Sequence, residues 1–380
     1  MPTQSASSEQ ISLVVRTRVT ELFGVEYPIF AFSHCRDVVA AVSRAGGIGV
    51  LGAALLTPEQ LDVELKWISA NCEGRPYGVD VLFPSSYEGE DVETLQTQIP
   101  RRHTEFLAEL RERFGVPERK NPGEASGLGG GDALVTTHAR AREQIDVALK
   151  YPISAAVSAL GPFPPDIDRE FRERGAKIGG LAGRVAHARK HVAAGADFIV
   201  ATSAEAAGHT GDVGLSVLIP EVVDAVSPTP VIAAGGIADG RQIAAAIALG
   251  AEGVWTGSVW LTTAESDLDP ALKDKLIAAT SKDTVRSRCA SGKPARQLHT
   301  EWTAAWEAPD APDPLPMPLQ GILVRDFLIS AYEHGIESVV GTPVGQVVGL
   351  MNSRTTVNST VQKLVEQFIA AGERIGKLLD

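Results

Sequence analysis

Eight short apolar runs separated by helix-length stretches constrain this chain more than any other feature. They are Pro28–Phe32, Ile48–Leu51, Tyr77–Phe83, Ile153–Val157, Ala176–Gly180, Phe198–Ala201, Val231–Ala234 and Gly253–Thr256. Runs without polar alternation are buried on both faces, and strands joined through helices pair in parallel. Eight such units in the first 260 residues suit an α/β fold of the closed (β/α)8 barrel type. Helix signals fall between the runs. Thr57-Pro58-Glu59 reads as a cap with proline at the first helical position, and Thr136 or Thr137 could cap a helix running to about Leu149. A last helix spans Thr356 to Leu379.

Two stretches break this rhythm. Residues 84–133 are polar, with a helix around Arg101–Phe114 and a glycine run at Gly127–Gly131. They read as an insertion in a barrel loop, either a lid over the pocket or an oligomer contact. The second stretch holds Pro309, Pro312, Pro314, Pro316 and Pro318, which exclude a helix or central strand. It reads as an extended segment inside a small helical cap covering 266–335. The expected division is therefore a barrel over 1–265, the cap, and a segment 336–380 that returns to the barrel.

The last two barrel runs each end in glycine: Gly235-Gly236 after the first, Gly257-Ser258 after the second. Glycine permits close approach and unusual dihedrals, so N–H groups at two adjacent strand ends can face one anion. Late loops of a barrel often hold a phosphate in this way, which points to a phosphorylated ligand. The formal charge of −12 and a pI near 5.2 argue against nucleic acid or an anionic membrane as partner. No apolar run is long enough to span a bilayer, and the N-terminus lacks a secretory pattern. Cys35, Cys72 and Cys289 are far apart and lack metal-ligand spacing, so a reduced cytoplasmic protein with no metal site is expected.

The loop Glu205–Asp212 follows the sixth run and carries His209 among small residues. A histidine titrating near 6.5 suits proton transfer at neutrality. A bland role, bonded to a nearby carbonyl, competes with that of catalytic base. Its place one strand before the glycine turns favours the base.

Six ordered segments resemble the nitronate monooxygenase family, the 2-nitropropane dioxygenase-like flavoproteins. They are Arg16–Pro28 (RTRVTELFGVEYP), Ala45–Leu51 (AGGIGVL), Glu205–Gly211 (EAAGHTG), Pro230–Gly240 (PVIAAGGIADG), Ala248–Ser258 (ALGAEGVWTGS) and Gly345–Met351 (GQVVGLM). The resemblance implies a barrel with a small cap and FMN at the strand C-terminal ends. It implies that Gly235, Gly236, Gly257 and Ser258 hold the FMN phosphate. Ala31, Phe32 and Ser33 would run beneath the isoalloxazine, and Asp80, Gly180, Ala207 and Gly208 would also touch the cofactor. His209 would be the base, and the substrate and O2 would meet at the ring.

The sequence departs from the family pattern around residues 30–37, where Phe30, Phe32, His34, Cys35, Arg36 and Asp37 replace a methionine- and glycine-rich loop. Phe32 and His34 are therefore candidates for the substrate pocket. A His34–Cys35 nucleophile is disfavoured, because adjacent residues rarely converge on one atom and no third orienting group is visible. Asp80 stands where the family usually has an amide. After Ala176–Gly180 a cationic contact is missing or is supplied by Arg184 or Lys177. Trp302 and Trp306 read as core. Three functions compete: nitronate oxidation, NAD(P)H-dependent reduction of a quinone or enoyl thioester on the same flavin, and a non-redox phosphate-binding barrel. A homodimer through the cap is compatible with each.

Overall fold

The computed structural model describes residues 15–83, 92–120 and 138–379. Its strands are β1 (Ile29–Ser33), β2 (Ile48–Gly52), β3 (Tyr77–Val81), β4 (Ala155–Ser158), β5 (Lys177–Ala182), β6 (Phe198–Thr202), β7 (Gly208–His209), β8 (Val231–Ala234), β9 (Gly253–Thr256), β10 (Thr284–Ser287) and β11 (Ala295–Leu298). All but β7, β10 and β11 form one closed parallel barrel in the order β1-β2-β3-β4-β5-β6-β8-β9. Closure is made by β9 on β1, with Phe30 opposite Trp255. The eight apolar runs are these eight strands.

Alternate strand residues point to opposite faces, and the apolar contacts divide accordingly. Phe30, Val50, Val157, Phe198, Val200, Ile232 and Trp255 fill the barrel interior. Ile29, Ala31, Ile199, Ala201, Val231 and Val254 face the surrounding helices. Phe23, at the end of the short helix Arg18–Phe23, meets Phe30 and Phe198 edge-on at 5.4 and 5.5 Å and plugs the barrel floor. Burying each such ring contributes about 2–3 kcal/mol. The barrel is thus solid below, and a ligand can enter only at the strand C-terminal ends.

The helix Pro58–Asn71 begins as its sequence predicts. The Thr57 side chain accepts from the Gln60 N–H, Gln60 answers at Thr57, and Pro58 takes the first position. The proposed cap at Thr136 or Thr137 and the Gly127–Gly131 run lie outside the described residues. In the insertion, helix Arg101–Phe114 is bracketed by Pro100 and Gly115. Phe106, Leu110, Phe114 and Val116 pack with Trp302, Trp306 and Phe327 in one apolar cluster. Phe106 meets Trp306 at 5.1 Å, and Trp302 stacks on Phe327 at 4.7 Å. This part of the insertion therefore packs on the cap with a shared core.

The cap carries helices Pro270–Ala278, Glu301–Trp306 and Leu319–Glu333. Beside these helices stands a three-stranded antiparallel sheet, β10-β11-β7, which the sequence reading of a helical cap did not include. Thr-Val-Arg-Ser and Ala-Arg-Gln-Leu hold too few apolar residues to read as strands. The proline segment is extended and is tied down from both sides. His103 Nε2 bonds the Asp313 carbonyl at 2.9 Å, and Arg288 donates to the Pro314 carbonyl at 2.9 Å. The fully buried Gln320 accepts from the Leu315 N–H and donates to the Cys289 carbonyl. The final helix, Val357–Gly376, is capped by Thr356 and lies along the barrel helix Gly240–Ala248, where the Gly240 N–H donates to Gln367. Among the described residues no helix is long and apolar enough to cross a membrane.

Candidate active site

The site begins at the ends of β8 and β9. Gly235 and Gly236 adopt φ of 97° and 70°, a left-handed backbone that a side chain would strain. A methyl at Gly235 would also stand 2.5 Å from the Ser203 hydroxyl and 2.7 Å from the Ala206 nitrogen. The N–H groups of Gly235, Gly236 and Gly257 have no acceptor among the described residues. Ser258 opens a short 3-10 turn with Gly257 before it. Its hydroxyl accepts from the Gly345 N–H at 2.9 Å, and the Gln346 N–H reaches the Glu205 carbonyl at 3.1 Å. The C-terminal segment thereby closes on the cradle from outside. Glu205 accepts from the Leu215 N–H with both carboxylate oxygens and caps the next helix.

Strand parity places the ring-side candidates. On β1, Phe32 faces inward and stacks on Trp255 at 6.1 Å, while Ala31 faces the outer helices and offers the mouth only backbone. The Ser33 hydroxyl accepts from the Cys35 N–H at 3.0 Å and shapes the turn. On β2, the inward residue is Gly52, and the space it leaves is filled by the Phe32 edge and the His34 ring, each 2.7 Å from where its Cβ would be. His34 Nδ1 bonds the Gly52 carbonyl at 2.9 Å, and burial lowers its pKa. On β3, Gly78 faces Ala155 and Val50 inside the barrel, so Asp80, two residues on, also faces inward. Asp80 is 7% exposed, and its Oδ1 is buried without a hydrogen-bond partner.

Gly180 separates from the other candidates. A methyl there would meet the His191 ring at 2.1 Å on the outside of the barrel, whereas Gly179 faces Phe198 within. The paired glycines gave no signal of which faced the mouth. Lys177 opens β5 at the opposite barrel end, so of the two suggested cations only Arg184, after the strand, stands on the loop side. Cys35 is buried, its thiol donates to the Glu265 carbonyl at 3.2 Å, and burial pushes its pKa up. It is not poised as a nucleophile.

His209 lies on β7, opposite Ala295 of the cap strand β11, with Gly208 opposite Arg296. The Arg296 guanidinium stitches this edge down by donating to the Ala204 carbonyl at 3.0 Å and to the Thr284 hydroxyl at 3.1 Å. His209 Nε2 is 2.8 Å from the Ser291 hydroxyl, which also accepts from the Lys293 N–H. The ring is solvent-accessible in the cleft yet crowded by protein. That crowding first, and the Lys293 charge second, lower its pKa, so the neutral base form prevails at pH 7. Ala207 and Gly208 precede it, Gly208 at φ 67°.

The sequence reading missed Ser291 and Lys293, and it missed a set of hydroxyls. Thr202, Ser203 and Thr210 each carry a buried hydroxyl without a partner. Thr202 ends β6, Ser203 follows it, and Thr210 follows His209. With Asp80 Oδ1 they give the mouth polar atoms that await an acceptor- and donor-rich ligand. Unpaired N–H groups on glycine turns at one side, orphaned polar atoms at the strand ends and an aromatic floor at Phe32 and Trp255 fit a flavin carrying a phosphate tail.

Comparison with known proteins gives the family. A family model described as nitronate monooxygenase matches residues 16–367. A Mycobacterium tuberculosis protein named "Putative monooxygenase Rv1533" is 50% identical, over 96% of this chain and 98% of its own. A Staphylococcus aureus "Probable nitronate monooxygenase" is 31% identical over 93% of this chain and 97% of its own. Among solved structures, the nitroalkane oxidase of Streptomyces ansochromogenes superposes with a TM-score of 0.77 at 25% identity, covering 94% of this chain and 99% of that one. FabK from Thermotoga maritima superposes with a TM-score of 0.72 at 27% identity, covering 96% and 99%. The chain belongs to the nitronate monooxygenase family and is one of its flavin-dependent oxidoreductases.

Proposed function

We propose that the protein is an FMN-dependent nitronate monooxygenase, oxidising alkyl nitronates or nitroalkanes with O2 to a carbonyl compound and nitrite. The observation that carries this reading is His209, held neutral at the barrel mouth beside a glycine phosphate cradle. FMN, rather than a dinucleotide flavin, suits a cradle that the Gly345–Gln346 segment closes from outside. Gly235, Gly236, Gly257 and Ser258 would hold the phosphate. Phe32, Asp80, Ala207 and Gly208 would border the ring, with His34 at the pocket wall. When bound, FMN accepts electrons from the substrate and passes them to oxygen.

The chain's own contribution is positioning and proton transfer. His209 takes the proton from the carbon next to the nitro group, a transfer worth about 10²–10⁴ in rate. Ser291 fixes the imidazole through Nε2, and the Lys293 charge disfavours its protonated form. Phe32 and Trp255 keep water from beneath the site. All three cysteines are free and buried, which fits a cytoplasmic, reducing compartment.

The likeness to FabK supports one second reading, an NAD(P)H-dependent reductase of an enoyl thioester or quinone. A visible spectrum followed by anaerobic titration separates the two. Flavin bleaching by ethyl nitronate but not by NADH or NADPH is the expected outcome. Rapid bleaching by a nicotinamide alone would replace the first reading with the second. A protein without flavin absorbance even after FMN is added would remove both.

A further inference from the structure

We infer that Asp80 serves the flavin site as a neutral carboxylic acid, a proton-bearing donor at the barrel mouth whose ionisation weakens cofactor binding. The inference rests on the flavin reading above, and the geometry behind it is local. Asp80 pairs in register with Gly52 of β2, and its flanking partner on β4 is Val157. It faces the barrel interior one step nearer the mouth than Gly78. Its Oδ1 is fully buried with no partner.

The residues that surround it bring no cation. Gly52 has no side chain, and Val157 is apolar. The Ala53 N–H is spent on the Asp80 backbone carbonyl at 2.9 Å. His34, which leans over Gly52 from β1, has its Nδ1 on the Gly52 carbonyl and is kept neutral by burial. His209 lies on β7, beyond β6 and three strands round the barrel, and Lys293 belongs to the cap. No charge among the described residues acts on the Asp80 carboxyl, and burial alone raises its pKa to about 7.

A carboxylate in such a place is costly, because nothing replaces its lost water. As an acid the same group offers one O–H donor. Among the described residues its side chain makes no hydrogen bond, so it gives the fold nothing that an apolar residue would not give better. A heteroaromatic ring with carbonyl and imine acceptors laid over the mouth would take that proton in a hydrogen bond. It would also strip the ionised form of its remaining hydration. Binding of the ring therefore favours the protonated acid, and proton uptake accompanies binding above neutrality.

The test uses the full-length protein freed of flavin, titrated with FMN by fluorescence quenching from pH 5.5 to 8.5. The wild type should show a Kd that is flat at low pH and rises toward tenfold per unit above about pH 7.5. Asp80→Asn should lack this rise. The FMN phosphate and the histidines titrate in both proteins, so the difference between the two curves isolates Asp80. Calorimetry of the wild type at pH 7.5, in two buffers of different ionisation heat, should show uptake of most of one proton per FMN. That second measurement stands even if Asp80→Asn does not fold. Parallel pH profiles, or no proton uptake by the wild type, overturn the inference while leaving the flavin in place. A folded wild type that binds no FMN at any pH overturns the flavin reading and the inference with it.

Discussion

At the ends of β8 and β9 the groups the candidate site offers are backbone N–H donors on glycine turns. Around β1–β3 and β7 they are side chains drawn from distant parts of the chain: His34, Asp80, His209 and Ser291. The first region is local in sequence and preorganised by dihedrals. The second exists only when barrel and cap are assembled. The contrast teaches that one half of the mouth presents only backbone donors, suited to any phosphate, whereas the other carries the titratable side chains.

The largest expected effect breaks the second half alone. His209→Ala should lower turnover of neutral nitroalkanes by about 10²–10⁴, with flavin content unchanged. Oxidation of a preformed nitronate should suffer far less, since its proton is already gone. Steady-state assays on both substrates check this, and unchanged nitroalkane turnover would remove His209 from the role. Next in size is a stability effect at Asp80. A buried carboxyl raised from 3.8 to about 7 binds a proton on folding, so its contribution is full at low pH and is lost as pH rises through about 7. In flavin-free protein, the stability gained by Asp80→Asn over the parent should widen by ~4 kcal/mol between pH 4 and pH 8. Denaturant melts at the two pH values measure it, and a constant gap would contradict it.

A smaller effect breaks the backbone half. Gly235→Val forces a side chain into φ 97° and against Ser203. It should cost about 1–3 kcal/mol, and the purified protein should lose its flavin. The ratio of flavin to protein absorbance is the readout. The smallest effect is electrostatic. Lys293→Met removes a charge that disfavours protonated His209, so the acid limb of kcat/KM should move up toward the ordinary histidine value. Because Lys293 is exposed, the loss at pH 6 should be only about twofold. A limb that stays put would leave crowding as the whole cause.

The barrel was legible because strands covered on both faces must be uninterrupted apolar runs, and few other structures write such runs eight times between helices. Helix Arg101–Phe114 was legible as a helix, and the structure ends it at Pro100 and Gly115. The β7, β10 and β11 strands were not, since they are two to four residues long and polar on the cap surface. The glycine cradle could be seen because its chemistry is contiguous in the chain. Ser291 and Lys293 could not, because a polar turn 82 residues beyond His209 looks like ordinary surface until β11 brings it alongside. Gly180 shows a further limit: in a Gly-Gly pair the sequence carries no side chain to reveal which residue faces inward.

The pairing of β7 with β11 has a bearing on how such enzymes can be altered. The histidine proposed as the base is laced to the edge of another module's sheet, and its hydroxyl and ammonium neighbours come from that module too. Exchanging caps between relatives would therefore transplant acid–base chemistry together with pocket shape. A graft meant to change specificity alone must keep residues 284–298 as one cassette with their own barrel.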